Sequence, residues 1–94
     1  MAFTGSMSYL AAGQVSATLP LMFDGGGNAT IRQCYFSHFQ VSPAPAVSVQ
    51  VSFDNSTTQY IALGAPTVFA IPAGAKVMTI TPTGGSASVE LGKA

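Results

Sequence analysis

Ninety-four residues allow one domain, and a globular fold of that size buries a comparatively small share of its unfolded surface, so its core is thin. Hydrophobic residues make up 48% of the chain and charged residues only 6%, against roughly 25% in ordinary globular proteins, and the formal net charge is zero. That balance excludes the basic footprint of a nucleic-acid binder, and no apolar run reaches the length of a membrane-spanning helix.

Ser, Thr, Gln and Asn take over the solubilising role, and such side chains give up hydration more readily than Lys or Glu when a surface is covered. A neutral surface of this kind favours self-association. Cys34 is alone, so an intrachain disulfide is ruled out and oligomerisation is the remaining way to support a thin core. The first residues lack a basic region followed by an apolar run, which points to synthesis and folding in a reducing cytosol. Gly5-Ser6-Met7 has the form of a cloning scar, which would place the native start at Met7.

Residues 1–14 mix Gly, Ser and Ala with scattered Phe3, Met7, Tyr9 and Leu10, a pattern that supports neither a full strand nor a helix. They read as an N-terminal arm lying against its own domain or a neighbour, ahead of a single domain over 15–94. From Val15 the chain alternates: Val15, Ala17, Leu19, Leu21 and Phe23 share one face of a strand, and Pro20, which cannot donate to a ladder, marks that strand as an edge or a bulge. Asp24-Gly-Gly-Gly-Asn28 then supplies residues that tolerate positive φ and reverses the chain.

The next strand is expected over 29–42 and carries large groups on both faces, Ile31, Tyr35, Phe39 and Val41 on one and Cys34, Phe36 and His38 on the other. One face of a strand in so small a sandwich normally meets water, so the second face should be covered by the arm or by another subunit. Val47, Val49, Val51 and Phe53 alternate with Ser48, Gln50 and Ser52 in the clearest strand of the chain, which turns at Asp54-Asn-Ser-Thr-Thr58. Strands at 60–63, 67–71 and 77–81 are closed by Gly64-Ala-Pro66, Pro72-Ala-Gly74 and Pro82-Thr-Gly-Gly85, and a last one follows at 86–91. About seven short strands with breakers roughly every ten residues predict an all-β, antiparallel sandwich or small barrel.

Catalytic constellations do not assemble. Asp24 and Asp54 open turns, where a short carboxylate caps backbone N–H groups, and Glu90 reads as a solvated strand position. Cys34 and His38 stand four residues apart on one strand, roughly 13 Å at about 3.3 Å per residue, too far to share a proton or a metal. No second His completes a zinc site, the triple Gly lacks the Lys-Ser/Thr of a phosphate loop, and a calcium site at 24–28 is disfavoured against a plain hairpin turn. Asn28-Ala-Thr30 and Asn55-Ser-Thr57 match the glycosylation sequon and read as chance matches without a secretory signal. The aromatics Tyr35, Phe36, Phe39, Phe53, Tyr60 and Phe69 fit core packing better than a sugar-binding face, since Trp is absent. The expectation is a protein that is not an enzyme and takes no metal or cofactor.

In overall style, and locally in Val47-Ser-Val-Gln-Val-Ser-Phe-Asp54, Tyr60-Ile-Ala-Leu-Gly64 and Ile71-Pro-Ala-Gly-Ala-Lys-Val77, the chain resembles the small β-structured virion proteins of tailed bacteriophages. The resemblance implies a capsid decoration or cement protein, made in the host cytoplasm and carried on the virion, that forms a homo-oligomer, with a trimer favoured. Its partners would be itself and the major capsid or another virion protein, through many weak contacts acting together, with neither nucleic acid nor membrane involved. Phe3, Tyr9, Leu10, Phe36 and His38 are the candidate interface residues, and deleting residues 1–12 would abolish shell binding while leaving the domain folded. A tail or fibre domain, or a carbohydrate-binding sandwich using an exposed aromatic or the Asp24 and Asp54 loops, is the alternative.

Overall fold

The computed structural model describes residues 3–19 and 36–94. Among them are eight strands and no helix: β1 (Thr4–Ala11), β2 (Val15–Thr18), β3 (His38–Pro43), β4 (Ser48–Phe53), β5 (Ser56–Leu63), β6 (Thr67–Ala70), β7 (Val77–Thr83) and β8 (Ala87–Lys93). They form two antiparallel four-stranded sheets, one in the order β1-β8-β3-β6 and the other β2-β7-β4-β5. The all-β sandwich expected from the breaker spacing is present, as two open sheets.

The pairing has a simple logic. β4 and β5 form the innermost hairpin, and outward from it β3 pairs β6, β2 pairs β7 and β1 pairs β8. The chain is therefore one long hairpin rolled so that alternate rungs fall in opposite sheets, with β8 and β7 completing the sheets against β3 and β4. Eight strands wound in this way make a jelly roll, a double-sheet solution that leaves each sheet two edges.

Period-two alternation fills the space between the sheets. Phe39 and Val41 of β3 and Val89 and Leu91 of β8 meet Val49 and Val51 of β4 and Met78 and Ile80 of β7, all fully buried. At the centre Phe39 holds an aromatic cluster, with its ring centroid 5.4 Å from each of Phe53, Tyr60 and Phe69. The Phe53 and Tyr60 contacts are edge-on, the arrangement that the aromatic quadrupole favours. Core packing is thus the job of these four aromatics.

Four expectations are corrected. Residues 4–11 are a full strand at the edge of a sheet, not an arm without one; a bulge between Gly5 and Met7 breaks the period and hides it in the sequence. Counting it brings the described strands to eight. The turn after β4 is only Asp54-Asn55, and Ser56 to Thr58 belong to β5. Pro82 lies within β7 opposite Val49. Its missing N–H is tolerated because β2 begins at Val15, opposite Ile80, so among the described strands β7 has lost that neighbour by residue 82.

The fourth concerns the two-sided strand. β3 begins only at His38, after a bend at Ser37, and Phe36 is buried in the same core as Phe39. The outward side of β3 is His38, Gln40 and Ser42, all polar. Ile31, Cys34 and Tyr35, with Pro20 and the 24–28 turn, lie outside the described residues.

Candidate functional site

The most organised polar feature is a clamp between two loops. Asp54 Oδ1 accepts the backbone N–H of Lys76 at 2.9 Å and of Val77 at 3.1 Å, while the Asp54 N–H donates to the Val77 carbonyl at 3.2 Å. Beside it Asn55 Nδ2 donates to the Ala73 carbonyl at 2.7 Å. Asp54 does act as a cap, as its residue type suggests, but for a loop 22 residues further along.

Those N–H groups, Lys76 first and Val77 second, hold the Asp54 carboxyl below its ordinary value near 3.8. The unfolded chain therefore binds the Asp54 proton more readily, and this contribution to stability is present above pH 3.8 and is lost as pH falls through the lower, folded value. Asp54→Asn is accordingly expected to lower Tm near neutral pH and to differ less and less from the native chain below pH 4. A Tm difference that stays constant from pH 6 to pH 2.5 would contradict this role.

Glu90 is the other acid among the described residues, and it stands on the outer face of the β1-β8-β3-β6 sheet, where Ser8 Oγ donates to its Oε2 at 3.3 Å. Asp54 follows β4 in the opposite sheet, so the two carboxylates are not brought together. His38 contacts the neighbouring Ser37 hydroxyl through Nδ1 at 2.8 Å. No group of three or more His, Cys, Asp or Glu gathers among the described residues, and no helix is long and apolar enough to cross a membrane.

The candidate interface residues separate into two sets. Tyr9 and Phe36 belong to the core, Tyr9 packed against it and Phe36 inside it. Leu10 is 76% exposed and, with half-buried His38, lies on the outer face of the first sheet; Phe3 is half-buried just ahead of β1. Leu10 and His38 do not adjoin, because Leu10 pairs Ser88 near one end of β8 and His38 pairs Gly92 near the other.

What remains exposed and apolar follows a rule. Leu10, Val15, Ile61, Leu63 and Val68 are the exposed large hydrophobics, and each sits on one of the four edge strands β1, β2, β5 and β6. The central strands show water mostly Ser, Thr and Gln instead; on the β2-β7-β4-β5 sheet Ser52, Thr79 and Ser16 stand in one row, the last two with hydroxyls 3.1 Å apart. Ile61, Leu63 and Val68 escaped the sequence reading. The signal was there in Tyr60-Ile-Ala-Leu63, where large apolar groups fall on both faces of a strand. No family model, curated protein or solved structure matches the chain.

Proposed function

We propose that this domain is a non-enzymatic structural protein of a virion, acting by assembly as a decoration or cement protein on a phage head. The observation that carries the reading is the distribution of the surface: uncharged hydroxyl and amide groups over the sheet faces, and exposed large apolar groups only along sheet edges. Such a surface loses little on being covered, and a shell lattice covers it in many copies at once. Jelly rolls recur among viral capsid proteins, which supports the reading by analogy of fold, and also among lectins.

The test is made on particles purified from cells of the producing strain. Mass spectrometry is expected to find the chain in many copies per particle, and particles formed without it are expected to lose their genome at a lower temperature. A chain confined to the soluble lysate, with none on particles, overturns the proposal.

A further inference from the structure

We propose that β5 is the self-association edge of the domain and that it pairs, antiparallel and across a two-fold axis, with β5 of a second copy. The inference rests on the assembly reading and names the surface through which copies meet.

An edge strand presents unpaired backbone N–H and C=O groups, which accept another strand unless something blunts them, such as charge, proline, a bulge or short length. The four edges differ in this respect. β2 and β6 have four residues each. β1 has eight but is bulged between Gly5 and Met7, and its Ser8 is tied to the Glu90 carboxylate. β5 has eight residues, Ser-Thr-Thr-Gln-Tyr-Ile-Ala-Leu, with neither charge nor proline. Its ladder with β4 is regular from Tyr60 to Leu63, the shift in register falling nearer Ser56.

The surroundings are as uncharged as the strand. Between Asp54 and Lys76 the sequence holds no Asp, Glu, Lys, Arg or His. That stretch supplies both β5 and β6, whose Tyr60 and Phe69 rings stand 5.6 Å apart on the same side of the sandwich. Two copies of such an edge approach without like-charge repulsion.

The occupant follows from the strand itself. Antiparallel pairing of a strand with its own copy is the two-fold, isologous arrangement, and it needs no complementary surface elsewhere. An axis through Ile61 pairs residues 59–63 with the same residues of the second copy. Ile61 then meets its counterpart at about 5 Å between Cβ atoms, and each Leu63 lies diagonal to the other Ile61. Ile61 is 57% and Leu63 67% exposed in the single chain, and this register covers both. The contact closes at two copies, so a trimer needs some other, heterologous surface. Strand addition of this length falls short of the roughly 1,200 Å² of a standard interface, which makes the association weak and concentration-dependent.

The full chain, examined by light scattering up to about 1 mM, the weak end of specific binding, is expected to rise from the mass of one chain to that of two. The double variant Ile61→Lys/Leu63→Lys, altered only at exposed positions, is expected to stay at one chain with unchanged circular dichroism and Tm. Leu10→Lys/Val15→Lys, on the opposite edges, is expected to dimerise as the native chain does. A native chain that remains single throughout, a lysine-edged β5 that still dimerises, or dimers lost only on changing Leu10 and Val15 would each overturn the proposal. A chain found on particles yet single in solution removes β5 pairing alone, whereas a β5 dimer never found on particles removes the virion reading alone.

Discussion

Phe39→Ala is expected to leave the domain unfolded or barely folded, with Tm lowered by roughly 15 °C or more for a chain of this length. Phe39 is fully buried on β3, an inner strand of its sheet, and its ring touches Phe53, Tyr60 and Phe69 at once. Truncating a buried Phe costs about 3–5 kcal/mol through lost transfer and the cavity left behind. Three aromatic contacts go with it, each worth about 0.5–1.5 kcal/mol beyond area, and the whole domain has only about 5–15 kcal/mol to lose. Phe39→Leu, which keeps most of the volume, is expected to fall between the two in a thermal melt. A Phe39→Ala chain melting within about 5 °C of the native one would show that the cluster is not the centre of stability.

The same cluster shows how far the sequence is legible. Val47 to Phe53 alternates with period two, and β4 follows it almost residue for residue, because both the buried face and the polar face are written in side-chain type. Where the two faces carry similar groups, the pattern is silent about which way is in. Phe36 and His38 share a parity, and only the bend at Ser37 sends Phe36 into the core and leaves His38 on the surface.

β5 is the converse case. Tyr60 and Ala62 face the core, Ile61 and Leu63 face outward, and the residues alone do not say which pair is buried. Partner choice was equally hidden. Nothing local in Thr4 to Ala11 announces a strand that pairs with the far end of the chain, since Gly, Ser and Ala carry little strand preference and the bulge disturbs the alternation. The site suffered accordingly: two of five candidate contact residues, Tyr9 and Phe36, are spent on the core.

Deletion of residues 1–12 is for that reason expected to abolish the fold and not merely a contact. β1 pairs with β8 from Thr4 opposite Lys93 to Ala11 opposite Ala87, and its Tyr9 and Ala11 pack on the core. The approach is close: a Cβ on Gly92 would collide with the Thr4 carbonyl oxygen and lie 2.6 Å from Gly5 Cα. Removing the strand bares the backbone edge of β8 and opens the core above Val89 and Leu91, which are fully buried in the intact domain. With about 1.5–3 kcal/mol at stake for each large apolar side chain returned to water, the loss approaches the entire stability of a domain this small. The truncated chain is expected to lack a cooperative melt, so any binding it loses reports unfolding. Leu10→Ser, which alters a side chain already in solvent, is expected to keep the native melt and so isolates the surface role of β1. A truncated chain that melts cooperatively within about 5 °C of the native one would show that β8 needs no neighbour on that side.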